Sequence, residues 1–122
     1  MNFALLNNQL IEEKEIRLTN KNRGFLYGDG FFETIKIFNK KPFNLENHFQ
    51  RIIYSTALLD IKLSLSILDL KNSISILADK NNMKSGSVRI SVYRNSIGKY
   101  FPEENSSSIL ISSKDDTVDE FV

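Results

Sequence analysis

Several arginine and lysine side chains of this sequence could bind an anion, and Arg51 is the first to consider. It follows His48 by three residues in the run His-Phe-Gln-Arg. A guanidinium presents its N–H donors as a planar fork that matches the oxygens of a phosphate or a carboxylate. Arg51 is therefore interpreted either as an anion-binding residue or as a solvated arginine on a helix surface, which is the commoner state of this side chain.

A second basic group lies later in the chain. Arg89, Arg94 and Lys99 lie in or near the segment from Asn95 to Asn105, which also contains Tyr100. A long polar and aromatic loop often forms one wall of a binding site. These cations therefore have the same two interpretations as Arg51.

Other chemistries have little support from the residue types. One histidine and no cysteine leave scattered carboxylates, whose spacing matches neither a zinc site nor a calcium loop, so no metal is expected. His48 is the sole candidate general base, and no serine lies in the sharp turn that a nucleophilic serine needs. A serine triad is thus disfavoured, and His48 by itself is interpreted as a helix-surface residue.

Length and composition indicate one folded domain. The 122 residues are 41% hydrophobic and 25% charged, which is ordinary for a globular protein. The formal charge of +1 gives no electrostatic reason to expect nucleic acid or a membrane as a partner. Without cysteine there is no disulfide framework, and residues 1–12 lack the apolar run of a signal peptide, so a cytoplasmic location is expected.

A Gly-Asp-Gly sequence at residues 28–30 precedes the first long element. Glycine accepts positive φ and aspartate bonds to nearby backbone, so this sequence predicts a sharp turn. The run from Phe31 to Phe38 then predicts a strand, and its large apolar residues on both faces indicate that both are covered. A phosphate-binding glycine loop would open into a helix instead, so these glycines are interpreted as structural.

Two amphipathic helices are predicted after this strand. Asn44 is a suitable N-cap, and apolar residues recur at helical spacing from Leu45 to Leu59, with Arg51 outside the apolar face. The second helix is predicted from its cap, Ser66, to Asn81.

Shorter strands are predicted at both ends of the chain. Phe3 to Leu6 and Gln9 to Ile11 read as a hairpin around Asn7-Asn8, and Glu12 to Asn22 as a surface strand. Strands are also predicted at Val88 to Tyr93 and at Ser108 to Ser112.

These elements predict an α+β fold with two layers, a mostly antiparallel sheet and both helices on one side of it. Residues 1–113 form the predicted domain. The charged residues 114–122 are interpreted as the start of a connector.

Three runs of the sequence match a known pattern in residue type and spacing. They are R-G-F-L-Y-G-D-G-F-F-E-T-I from Arg23 to Ile35, N-K-K-P-F-N-L-E-N-H-F-Q-R-I from Asn39 to Ile52, and V-R-I-S-V-Y-R-N-S-I-G-K-Y from Val88 to Tyr100. The chain closely resembles the start of class IV aminotransferases. These fold-type IV pyridoxal-phosphate enzymes include branched-chain and D-amino acid aminotransferases and aminodeoxychorismate lyase.

This resemblance implies an N-terminal small domain, a pyridoxal 5'-phosphate cofactor, a homodimer, and an amino acid or aminodeoxychorismate as substrate. Arg51 falls on the arginine that holds the cofactor phosphate. Phe32 falls where the D-amino acid branch carries a substrate-binding tyrosine, and this departure puts D-amino acid specificity in question. Lys99 and Tyr100 fall on the substrate-carboxylate side, with Arg89 and Arg94 as further candidates.

The resemblance also implies where the catalytic group belongs. The Schiff-base lysine, the carboxylate for the pyridine nitrogen and most of the phosphate cup belong to a segment after residue 122, and Lys114 is a poor substitute. No catalytic residue is expected in this chain, which alone should neither transaminate nor hold the cofactor tightly. Two alternatives stay open: an aminodeoxychorismate lyase, and a non-catalytic relative that uses the domain for binding or dimerisation.

Overall fold

A computed structural model describes residues 2–16, 30–94 and 107–116. Its strands and helices are β1 (Phe3–Leu6), β2 (Gln9–Glu12), β3 (Gly30–Phe38), β4 (Lys41–Pro42), α1 (Leu45–Leu59), α2 (Ile67–Lys80), β5 (Gly86–Arg94) and β6 (Ser107–Asp115). The strands form one sheet in the order β2-β1-β6-β5-β3-β4, and each neighbouring pair is antiparallel. The predicted α+β fold, with an antiparallel sheet and two helices, is confirmed.

The core lies between the two helices and one face of the sheet. Alternate residues of β5 point into it, and Val88, Ile90 and Val92 are fully buried there, as the alternation in the sequence predicts. Leu70 and Ile74 of α2 are fully buried from the other side. Burial of an aliphatic side chain of this size contributes about 1.5 to 3 kcal/mol, so this layer accounts for much of the docking of α2.

Strand β3 is covered on one face only, and the prediction that both faces are covered is wrong. Ile35 and Ile37 point toward the helices and are fully buried. Phe32 and Phe38 point to the other side and are 56% and 66% exposed. We call that side of the sheet the open face, because both helices pack against the opposite side and no described residue covers it as a layer.

Gly30 permits a close approach between β3 and β5. It pairs with Tyr93, and a Cβ atom at Gly30 would lie 2.4 Å from the carbonyl oxygen of Val92. A glycine is therefore needed at this position because a side chain would clash with the neighbouring strand. The sequence had indicated turn geometry as the reason. Gly28 and Asp29, the rest of the predicted turn, lie outside the described residues.

Strand β6 is longer than its apolar pattern suggested. It continues through Lys114 and Asp115, two residues that the charge pattern assigned to the connector. Their backbone pairs with the start of β5, where Gly86 faces Asp115 and a Cβ at Gly86 would lie 2.1 Å from the carbonyl oxygen of Lys114. Strand pairing uses main-chain groups, so it continues here despite the polar side chains.

The N-terminal hairpin is confirmed, and the strand predicted after it is not. Asn7 and Asn8 link β1 to β2 with φ of 50° and 70°, the left-handed values that a tight hairpin requires. Glu13–Glu15 then forms a single 3-10 turn. The alternation in this region was too sparse to specify a strand, and residues 17–22 lie outside the described part of the chain.

The two helices begin differently. Ser66 caps α2 as predicted, since its hydroxyl accepts from the Asp69 N–H at 3.0 Å while its own N–H donates to the Asp69 carboxylate at 3.1 Å. Asn44 precedes α1 as predicted but has left-handed φ of 57° and makes no side-chain cap. Among the described residues, no helix is long and apolar enough to cross a membrane.

The side chain of Asn81 joins the end of α2 to two strands. Its Oδ1 accepts from the Phe3 N–H at 2.7 Å, and its Nδ2 donates to the Phe3 carbonyl at 3.0 Å and to the Ser113 hydroxyl at 2.7 Å. The amide thus pairs with Phe3 as a neighbouring strand residue would. It holds β1, β6 and α2 together.

Replacing Asn81 by alanine should lower the free energy of unfolding by about 2 kcal/mol, because Phe3 loses both of its partners at a partly buried site. Urea denaturation followed by circular dichroism would measure this loss. Asn72→Ala, on the exposed surface of the same helix, is the control and should change stability by less than about 0.5 kcal/mol. Equal losses in the two variants would contradict this role of Asn81.

Candidate functional site

Glu33 is an acidic residue on the apolar face of β3. It shares that face with Ile35 and Ile37, and its side chain is only 16% exposed. A carboxylate held away from water costs free energy unless charged or polar partners surround it. The partners of Glu33 therefore define the first candidate site.

Two residues of α1 supply those partners. His48 places Nδ1 at 2.7 Å from Glu33 Oε2, and Arg51 donates from Nε to the same oxygen at 2.7 Å. Residues three apart on a helix lie on the same side of it, so His48 and Arg51 reach Glu33 together. A single carboxylate oxygen thus connects β3 to α1.

The guanidinium of Arg51 has one edge toward the protein and one edge away from it. Nε faces Glu33, and Nη2 lies 2.9 Å from His48 Nδ1. The side chain is 60% exposed, and Nη1 makes no hydrogen bond or ion pair within the described residues. The edge formed by Nη1 and Nη2 can therefore bind two oxygens of an external anion.

Sequence analysis located Arg51 but not its two supports. Arg51 lies outside the apolar face of α1, as predicted. His48, interpreted as a surface residue, is 14% exposed and lies between Glu33 and Arg51. Glu33 was not singled out, although an acid in the alternating series with Ile35 and Ile37 was a signal that a cationic partner lies nearby.

The open face carries a second group of predicted residues. The Arg89 guanidinium lies 3.8 Å from the centroid of the Phe32 ring, which is a cation–π contact between β5 and β3. Beside it is a depression of about 260 Å³ lined by polar and cationic residues: Thr34, Ser87, Arg89, Ser112, Ser113 and Lys114. The structure therefore brings Phe32 and Arg89 together on one surface.

Arg94 points to the opposite side of the sheet from Arg89. It is 5% exposed and donates to the main-chain carbonyls of Leu59 and Asp60 at the end of α1. Helix C-termini leave carbonyl oxygens without partners inside the helix, and a guanidinium can satisfy them. Arg94 thus caps the C-terminal end of α1, and its proposed role on the substrate side stays a prediction. Lys99 and Tyr100 lie outside the described residues.

Tyr93 lies on the open face between Gly30 of β3 and Ser108 of β6. Burial raises the pKa of its phenol above the ordinary value, and a hydrogen bond with Ser108 lowers it in part. The folded state therefore favours the neutral phenol.

The fold is a small domain in which Glu33, on the helix-covered face of the sheet, holds the exposed guanidinium of Arg51. The family model for amino-transferase class IV matches residues 30–120. This chain belongs to the class IV aminotransferase family. That finding confirms the resemblance seen in the sequence.

Curated relatives agree with the family match. The D-alanine aminotransferase of Listeria monocytogenes is 31% identical over 91 residues, which cover 75% of this chain and 32% of that protein. The D-alanine aminotransferase of Staphylococcus haemolyticus is 28% identical over 94 residues, which cover 77% of this chain and 33% of that protein. The chain therefore spans about a third of the length of the curated relatives it matches.

Solved structures show the same fold. The branched-chain amino acid aminotransferase from Escherichia coli superposes with a TM-score of 0.84 at 20% identity, over 93% of this chain and 41% of that one. The T.th. branched-chain amino acid aminotransferase with pyridoxamine 5'-phosphate gives 0.82 at 18% identity, over 93% and 39%. This chain corresponds to an N-terminal part of such enzymes.

Arg94→Met should lower the free energy of unfolding by about 2 kcal/mol, because the carbonyls at the end of α1 lose buried donors. Arg89→Met on the same strand is the matched control and should cost less than about 1 kcal/mol, since it removes an exposed cation–π contact. Urea denaturation of both variants decides the point. A loss for Arg94→Met no greater than that for Arg89→Met would contradict the capping role.

Tyr93 should make stability fall at alkaline pH. The folded pKa is raised, so this contribution is complete below the unfolded value of about 10 and is lost as pH rises through the folded value. Tyr93→Phe cannot ionise and should flatten the alkaline limb of the stability profile, measured by urea denaturation at a series of pH values. Tyr54→Phe on the exposed surface of α1 is the control. An unchanged slope in Tyr93→Phe would disprove the assignment.

Proposed function

We propose that this chain is the domain that holds the cofactor phosphate in a pyridoxal-phosphate-dependent class IV aminotransferase acting on an amino acid. The proposal rests on one observation. The Nη1–Nη2 edge of the Arg51 guanidinium faces away from the protein, in a chain that belongs to this family. Glu33 accepts from Nε on the inner side of the same guanidinium, and His48 contacts the same carboxylate oxygen. Among the structures with this fold, one is described with pyridoxamine 5'-phosphate, which supports the choice of cofactor.

The residues present fit a phosphate group. A phosphate offers several oxygens, and the Nη1 and Nη2 donors of an exposed arginine match two of them. The buried carboxylate of Glu33 orients the guanidinium from behind, so Arg51 need not be ordered anew when the anion arrives. When bound, the cofactor supplies an electron sink for chemistry at the α carbon of an amino acid.

The open face is the proposed substrate side. Phe32 offers an aromatic surface, and Arg89 offers a cation for a substrate carboxylate. Lys99 and Tyr100 remain candidates for the same role. The curated relatives are D-alanine aminotransferases and the solved structures are branched-chain enzymes, so the proposed substrate class is an amino acid.

Transfer is favoured over lysis, because the relatives and structures named above are all aminotransferases. Exposed phenylalanines on the open face support the proposal that a further domain or a second subunit covers this surface, as in a homodimer. The cytoplasmic location and the inactivity of the chain by itself stay predictions.

The test uses pyridoxine 5'-phosphate, which has the phosphate and ring of the cofactor but no aldehyde to react with lysine. Weak binding to the 122-residue chain is expected, measured by NMR titration of backbone amides. Arg51→Ala should weaken it about tenfold, which corresponds to the loss of one charge-assisted contact.

Lys62→Ala removes an exposed cation elsewhere and serves as the matched control, with no change in affinity expected. Pyridoxine without phosphate should bind the unsubstituted chain and Arg51→Ala equally. The proposed role of Arg51 fails if pyridoxine 5'-phosphate binds the Arg51→Ala chain as well as the unsubstituted one.

A further inference from the structure

Nδ1 of His48 lies within hydrogen-bond distance of two groups, one of which requires a proton on this nitrogen and the other a lone pair. Glu33 Oε2, at 2.7 Å, requires a proton on Nδ1, because a carboxylate oxygen only accepts. Arg51 Nη2, at 2.9 Å, requires a lone pair on Nδ1, because a guanidinium only donates. One ring nitrogen cannot satisfy both at once.

Burial decides which partner prevails. The side chains of Glu33 and His48 are 16% and 14% exposed, so water cannot readily replace a hydrogen bond lost between them. Two facing lone pairs at 2.7 Å would also repel each other. Arg51 is 60% exposed, and its terminal N–H groups can turn to solvent or to a ligand. The hydrogen bond between His48 Nδ1 and Glu33 Oε2 is therefore the one that forms.

We propose that Glu33 holds His48 in the Nδ1–H tautomer, and that this N–H in turn fixes the carboxylate oxygen that accepts from Arg51 Nε, so that His48 is a positioning residue for Arg51 through Glu33. In this tautomer His48 accepts nothing from the guanidinium, so Arg51 is anchored through Nε alone and both terminal nitrogens remain available to an anion. In the other tautomer, Nδ1 would accept a hydrogen bond from one N–H of Nη2, and that N–H would be unavailable to an anion. The positioning of Arg51 for an anion rests on the proposed function of Arg51. The assignment of the His48 tautomer does not depend on that function.

The sequence makes the tautomer directly measurable, because His48 is the only histidine of the chain. Nitrogen-15 NMR of the labelled chain at alkaline pH should give a protonated-type shift for Nδ1 and an unprotonated-type shift for Nε2. Glu33→Ala should reverse the two, since only Arg51 then competes for Nδ1. Arg51→Ala should leave them unchanged. The Nε2–H tautomer in the unsubstituted chain would overturn the proposal, even if Glu33→Ala fails to fold.

A second measurement tests the positioning role, with inorganic phosphate as the probe. His48→Asn keeps an N–H donor near the position of Nδ1, whereas His48→Leu has none. Phosphate affinity should be retained in His48→Asn and fall about tenfold in His48→Leu, the equivalent of about 1.4 kcal/mol. Equal affinities in these two variants would refute positioning by His48. If phosphate binds to no variant, the proposed function of Arg51 fails, and the nitrogen shifts alone decide the tautomer.

Discussion

One carboxylate oxygen of Glu33 contacts both His48 and Arg51 of α1, and the geometry of the candidate site depends on this shared oxygen. The Glu33 carboxylate is only partly exposed, so its charge is better stabilised with both partners in place, and this contact joins the strand to the helix. Because the carboxylate approaches Arg51 from the protein side, it also determines which edge of the guanidinium meets solvent. The same contact thus joins two elements and orients the Arg51 guanidinium.

Because side chains alternate along a strand, β3 contributes residues to both faces of the sheet. Glu33 points toward the helices and supports Arg51, whereas Phe32, one residue earlier, lies on the open face beside Arg89. Substitutions on the open face therefore leave the support of Arg51 intact.

Local patterns predicted the elements well, and contacts between distant residues explain what they missed. Helix α2 with its cap at Ser66 and the alternation of β5 follow from residue types a few positions apart. Arg94 resembles the other cations in the sequence, and its role depends on a carbonyl 35 residues away. Glu33 meets Arg51 across 18 residues. No spacing rule connects such pairs before the sheet and helices have docked.

The separation of Glu33 and Arg51 along the chain has a consequence for folding as well as for binding. The two side chains meet only when β3 and α1 are packed together, so the unfolded chain has no assembled site and binds an anion weakly. A phosphate ester that binds Arg51 would thus favour the docked state by mass action, by about 2.7 kcal/mol at a concentration about one hundred times its dissociation constant. Under the proposed function, the concentration of the ligand and the stability of the folded domain would be thermodynamically linked.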